Sequence, residues 1–196
     1  MKAHSFTLIL DGEDVLDEAA LEALYEGSCD DATFGEQDGV VFADFDRTSA
    51  SFETAILAAI DDVEIAAKGI QVVRVQQPIL ATASDIATRV GRTRESVRML
   101  IAGERGPGGF PVPVSRIGKS DFWRWTDVVS WFSTYQQDAV PSVAETTFIE
   151  AINGALQLRH YGHPLTPRIQ GQLATWIDAH FACSLTTDPH AGVPAI

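Results

Sequence analysis

The 196-residue chain has two cysteines, Cys29 and Cys183, 154 positions apart. Two thiols so placed supply no disulfide framework, which suits a reducing compartment. Long apolar runs are also missing. Stretches such as Ala55-Ile56-Leu57-Ala58-Ala59-Ile60 fall far short of the roughly 20 residues a membrane-spanning helix needs. The first residues carry one Lys and one His before Asp11, Glu13 and Asp14, without the basic and apolar regions of a secretory leader. The expected location is therefore the cytoplasm. Lysine is scarce, at 3 against 11 arginines, and with abundant alanine this points to the coding bias of a GC-rich bacterial genome. Positive charge as a whole is scarce. The 14 Lys and Arg face 27 Asp and Glu, for a net charge of -13. A uniformly acidic surface would repel phosphate and exclude nucleic acid as a partner. What is present is apolar residue enough, at 45%, to build cores in one domain or in two to three small ones.

The charge is not uniform. Residues 1 to 80 hold 17 acidic against 4 basic residues, residues 81 to 127 hold 5 against 8, and residues 128 to 196 hold 5 against 2. An acidic segment, a basic one and a mildly acidic one follow in order, and only the middle segment is suited to a phosphate backbone.

In the acidic segment, Ser5-Phe6-Thr7-Leu8-Ile9-Leu10 reads as a strand, and Leu16, Leu21, Leu24 and Tyr25 mark an amphipathic helix. Gly35-Glu36-Gln37-Asp38-Gly39 reads as the turn of a hairpin between Ala32-Thr33-Phe34 and Val40 to Phe45. Ser51 opens a second helix through Ile56, Ala59, Ile60 and Val63. Gly69 stops it, and the strand from Ile70 to Val75 follows. The order β-α-β-β-α-β predicts a ferredoxin-like domain over 1–78, a plan that names no function by itself. Asp30-Asp31, Asp44 and Asp46 are the candidate carboxylates for a cation or a shared proton. Strand alternation, however, sets Asp44 and Asp46 on the solvent side, opposite Phe42. Cys29 beside two carboxylates is expected to have a raised pKa, which disfavours a thiolate nucleophile.

From Thr82 the pattern changes. Thr82-Ala83-Ser84-Asp85 has capping-box spacing, Ile86, Ala87 and Val90 form a short apolar face, and Gly91 ends it. Thr93 can cap a second helix that buries Val97, Leu100 and Ile101 and stops at Gly103. A small Ala where helices cross, a Gly at the turn and apolar locks on the second helix are what a helix-turn-helix requires. Gly109-Phe110-Pro111-Val112-Pro113, Trp123 or Trp125, Asp127-Val128 and Trp131 follow. Over about residues 80 to 135 the chain resembles the AlpA-like and excisionase branch of the MerR superfamily, a group of bacterial and phage proteins. The resemblance implies a winged helix-turn-helix over 79–138, with the second helix in the major groove of double-stranded DNA and the wing on the backbone or minor groove. The residues suit that role on their own chemistry. Arg89, Arg92, Arg94 and Arg98 cluster at the turn and on the outer side of the second helix, where Arg reads guanine edges or grips phosphate. Thr93 and Ser96 can donate to phosphate, and Arg105, Arg116, Lys119 and Ser120 bracket the wing. The three tryptophans are expected in the core and at the wing's anchor.

In the last segment, Ser142-Val143-Ala144-Glu145 has capping-box spacing before a helix with Phe148, Ile149, Ile152, Ala155 and Leu156 on one side. Thr166-Pro167 opens another with Ile169, Leu173, Trp176, Ile177 and Phe181. An α-hairpin over 139–187 results, with 188–196 as a tail. The stripe can complete the core or pair two subunits; Phe148, Ile152, Ile169, Leu173 and Trp176 are the expected dimer contact, because modules of this kind bind symmetric half-sites in pairs. His160, His163, His180 and Cys183 suggest a zinc site, but the two pairs lie about 25 Å apart along helices rising 1.5 Å per residue, which one tetrahedral ion cannot span.

The sequence thus predicts an α+β, cofactor-free and metal-free transcriptional regulator that binds double-stranded DNA as a homodimer. An alternative is an antitoxin-like or adaptor protein whose acidic N-terminal domain holds a basic protein partner while the DNA module autoregulates. Catalysis is not expected, since no nucleophile, base and stabiliser can be assembled from the motifs.

Overall fold

The structure, a computed structural model, describes residues 1–77, 79–135 and 141–185, with side chains in the last helix up to His180. It is a mixed α+β chain in which the described residues form seven helices and two antiparallel sheets. Met1 to Leu156 make one compact unit, and a second begins at Gln157.

The first sheet contains β1 (Lys2–Asp11), β2 (Ala32–Gln37), β3 (Val40–Ser49) and β4 (Gln71–Val75), in the order β2-β3-β1-β4. Every neighbouring pair is antiparallel. Helices α1 (Glu18–Glu26) and α2 (Phe52–Ala66) join β1 to β2 and β3 to β4. Leu24 of α1, Ile56, Ala59 and Val63 of α2, and Leu8, Phe45 and Val72 of the sheet share one core. The two helices meet closely at Gly27, where a Cβ would lie 2.2 Å from the Cβ of Ala66. Ser51 caps α2 by accepting from the Thr54 N–H.

Three local readings change. The hairpin turn is the two-residue Asp38-Gly39, both at positive φ, and β2 runs on through Gly35 to Gln37. Gly35 is not a turn residue at all. It faces Phe42 across the ladder, and a Cβ there would meet the Phe42 ring at 2.7 Å. Phe42 shares the face of Asp44 and Asp46, while Ala43, Phe45 and Arg47 point into the core. In α1 only Leu24 is buried. Leu16 precedes the helix and Tyr25 is exposed, so the apolar stripe is narrower than its spacing suggests.

The second sheet holds β5 (Leu80–Ala81), β6 (Ser115–Ile117) and β7 (Ser120–Arg124), in the order β5-β7-β6. The strand β5 has no signal in the sequence beyond two apolar residues, and it forms because Ala81 pairs with Trp123 of β7. Around this sheet lie α3 (Ala83–Arg89), α4 (Arg94–Ile101) and α5 (Trp125–Tyr135). Ile86, Val97, Leu100, Trp123, Trp125, Val128 and Phe132 form their common core. The glycine-rich stretch before β6 is held by two indoles. Trp131 Nε1 donates to the Gly108 carbonyl and Trp123 Nε1 to the Pro111 carbonyl, both at 2.9 Å, while Phe110 packs against Trp131.

Helix α6 (Val143–Gly162) joins the two cores. Its Phe148, Ile149, Ile152 and Leu156 pack on the first core. Its buried Asn153 accepts from the Val75 N–H at 2.7 Å and donates to the Val75 carbonyl at 2.9 Å, so a side-chain amide takes the place of a fifth strand at the edge of β4. Its Glu150 accepts from Arg124 and from the Thr126 hydroxyl, on the second core. The boundary between the two compact units falls inside α6, after Leu156. In the second unit, the end of α6 and α7 (Pro167–Leu185) line a groove of about 450 Å³. No helix among the described residues is long and apolar enough to cross a membrane.

Candidate nucleic-acid interface

Two local caps set the geometry of α3 and α4. The Thr82 hydroxyl accepts from the Asp85 N–H, and the Asp85 carboxylate accepts from the Thr82 N–H at 2.8 Å, a complete capping box. Hydrogen bonds from the Thr82 hydroxyl and N–H also hold the Asp85 carboxyl below its usual pKa. Gly91, at φ 63°, turns the chain between the helices. Thr93 then caps α4 by accepting from the Ser96 N–H at 3.1 Å. With its start so fixed, α4 buries Val97 and Leu100, leaves Ser96 half-buried, and turns Thr93, Arg94 and Arg98 to solvent.

The arginines grouped by the sequence part company in space. Arg94 is exposed and forms no ion pair among the described residues. Arg98 is exposed too, but its guanidinium grips Glu95 through bonds of 2.8 to 3.1 Å and reaches Glu104 at 3.5 Å. The bond with Glu95 is the main reason why the pKa of Arg98 lies above, and that of Glu95 below, its ordinary value. Arg89 and Arg92 turn to aromatic faces. The Arg89 guanidinium lies 4.8 Å from the Trp125 ring centroid, and that of Arg92 lies 5.3 Å from Tyr135 and 5.7 Å from Phe132. Burial lowers the pKa of Arg89.

The β6–β7 hairpin carries the remaining candidates. Arg116 and Asp121, register partners across the ladder, make a bidentate pair at 2.5 and 2.8 Å. Gly118, at φ 61°, makes the turn with Lys119. Lys119 and Ser120 are exposed at this tip beside Ile117. Arg105 is exposed in the glycine-rich stretch. Of the ten candidates, Arg94, Arg105 and Lys119 are thus cations open to an incoming anion, Arg89 is an exposed cation that lies over Trp125 without an ion pair among the described residues, and Arg98 and Arg116 are exposed cations already holding carboxylates.

The expected dimer contact is divided as well. Phe148 and Ile152, half-buried, pack on the first core within the chain. Ile169 and Trp176 are exposed and Leu173 half-buried in the second unit, where Trp176 stacks on His180 at 4.3 Å. The tail 188–196 and the side chain of Cys183 lie outside the described residues, and among those described no group of three or more His, Cys, Asp or Glu is placed to hold a metal ion.

The largest charged cluster of the first segment has no signal in the sequence. Arg47 is buried and donates to both Asp31 oxygens at 2.9 Å, to Asp62 at 2.6 Å and to the Ser28 carbonyl at 2.7 Å. Burial pulls its pKa down, but the bonds to Asp31 and Asp62 outweigh this and hold it above the ordinary value. Asp31 is therefore a partner of Arg47 and not half of a cation site with Asp30. Asp44 and Asp46 accept from the hydroxyls of Thr7 and Ser5. Cys29, beneath this cluster, is raised to about 11, first by burial and then by Asp62. No protein-family model, curated protein or solved structure matches the chain.

Proposed function

We propose that the chain is a sequence-specific double-stranded DNA-binding transcriptional regulator, with a ferredoxin-like domain followed by a MerR-superfamily-like winged helix-turn-helix. The observation that carries this reading is α4. Capped by Thr93 and locked by Val97 and Leu100, it directs Arg94 and Arg98 outward, and the β6–β7 hairpin that follows ends in an exposed Lys119. In this reading α4 enters the major groove, Arg94 contacts base edges, and Lys119 and Arg105 contact phosphates. The strand order β2-β3-β1-β4, with helices in both crossovers, supports the ferredoxin-like assignment. The protein works in the cytoplasm as a homodimer, with no cofactor and no catalytic activity, and Ile169, Leu173 and Trp176 supply the contact between subunits.

Genomic footprinting of the full chain, followed by titration of a recovered fragment at several salt concentrations, tests the reading. Specific binding whose log K falls by about 0.9 per phosphate neutralised is expected. Absence of any enriched sequence, or affinity indifferent to salt, overturns it. The second reading, an adaptor whose acidic domain holds a basic protein, draws on one observation. Residues 1 to 80 hold 17 acidic against 4 basic residues, and one of those four, the buried Arg47, is already engaged by Asp31 and Asp62. Co-purification of a basic protein in place of DNA favours it.

A further inference from the structure

We propose that the cavity between the two cores of the first unit is a binding site for a free α-amino acid with an apolar side chain, and that its occupancy tunes the DNA-binding surface. The cavity measures about 430 Å³, within the range of small-molecule sites. Its walls come from three parts of the chain. Phe52 belongs to the first core, Trp125 to the second, and Ile149 to α6, and these supply its apolar walls, while Ser5, Gln76 and Thr146 add neutral polar groups. Into the same cavity come one cation, Arg89, and one anion, Glu145, with the Gln77 amide beside them.

These two charges are not accounted for by the fold. Neither Arg89 nor Glu145 forms an ion pair, with the other or with a third group, among the described residues. The Ser142–Glu145 capping box of the sequence is only half made. The Glu145 N–H donates to the Ser142 hydroxyl at 3.4 Å, while no return bond from the Ser142 N–H to the carboxylate is present. The Asp85 carboxylate, the acid nearest Arg89 in charge, is held by Thr82. The Arg89 guanidinium, exposed on one side, lies over the Trp125 ring on the other, which fixes where an anion would meet it. A carboxylate on Arg89, an ammonium on Glu145 and an apolar side chain between Phe52, Trp125 and Ile149 would satisfy the whole set. An anion alone would leave Glu145 unanswered, and a cation alone would leave Arg89.

Arg89 ends α3, two residues before the Gly91 turn into α4, and α6 is tied to the first core by Asn153 and to the second by Glu150. A ligand joining Arg89 to Glu145 ties α3 to α6 directly and biases the position of α4. This coupling rests on the DNA reading; the ligand site does not.

Calorimetric titration of the full chain without DNA tests the site, with L-phenylalanine, L-leucine, phenylacetate and phenethylamine as probes. Both amino acids should bind saturably, and the two single-charge probes at least tenfold more weakly than phenylalanine. Glu145→Gln should weaken phenylalanine at least tenfold with an unchanged circular dichroism spectrum, and Arg89→Gln likewise. No saturable heat from either amino acid, phenylacetate or phenethylamine equal to phenylalanine, or an unaltered Glu145→Gln variant each overturns the site. A second arm measures DNA affinity with and without phenylalanine in the wild type and in Glu145→Gln. A shift in the wild type alone supports the coupling, and no shift overturns it. Phenylalanine binding in a chain that retains no DNA sequence leaves the site standing and removes the DNA reading.

Discussion

Arg47 and Arg98 each sit between two carboxylates, yet they belong to different kinds of region. The Arg47 side chain is 10% exposed, and its partners Asp31 and Asp62 are 29% and 31% exposed. Arg98 is 56% exposed, between Glu95 at 66% and Glu104 at 54%. The same pairing therefore has opposite meanings. Around Arg47, water is largely excluded, so removing one partner strands the others, and the cluster holds β3, α2 and the Ser28 turn in one arrangement. Around Arg98, solvent screens the attraction, so the guanidinium can leave Glu95 for a phosphate or a base edge at little cost. Arg47 is thus a structural arginine, and Arg98 an exchangeable one.

The comparison can be broken at its stronger end first. Replacing Arg47 by Ala should destabilise the protein by about 3 to 5 kcal/mol, measured by urea unfolding, because Asp31 and Asp62 lose their shared cation. A loss below about 1 kcal/mol would put Arg47 in the same class as Arg98. Asn153→Ala should follow at about 2 to 3 kcal/mol, since a buried N–H and a buried carbonyl of Val75 both lose their partner.

The weaker end predicts a different pattern. Arg98→Ala should leave the urea midpoint of unfolding indistinguishable from that of the wild type. In DNA binding, Arg94→Ala should cost about 1 to 3 kcal/mol and relax base preference, whereas Lys119→Ala should weaken all sequences alike, as fluorescence anisotropy on cognate and scrambled duplexes will report. Equal, sequence-independent losses would reduce α4 to a backbone clamp.

The smallest effect concerns pH. Because burial raises the Cys29 thiol from 9.0 to about 11, the folded state holds its proton more tightly than the unfolded chain does. The stability linked to Cys29 is intact below pH 9.0 and is lost as pH rises from there toward about 11. A Cys29→Ala variant should lose less stability than the wild type over that window, and in a Cys183→Ser background Cys29 should react with a disulfide reagent only on unfolding. Rapid reaction in the folded protein would show that the layer over Cys29 opens.

The sequence by itself determined the elements whose causes are local. Ser51, Thr82 and Thr93 cap their helices because a hydroxyl three residues ahead of a free N–H needs no tertiary partner, and Gly91 turns because it alone tolerates positive φ cheaply. The split of charge into an acidic and a basic segment was equally legible, being a property of composition. Tertiary structure decided whatever depends on what faces a residue across space. Gly35 reads as a turn signal until Phe42 is seen over it, and Asp31 reads as half of a carboxylate pair until Arg47 arrives from sixteen positions away. Phe148 and Ile152 read only as an apolar stripe until the first core is seen against them, and Glu145 reads as a completed cap until it is found lining a cavity with Arg89. Apolar spacing reports that a helix face will be buried, but it carries no record of the surface that buries it. Charge reports that an arginine will find an anion, and only the surrounding solvent decides whether that bond can be exchanged.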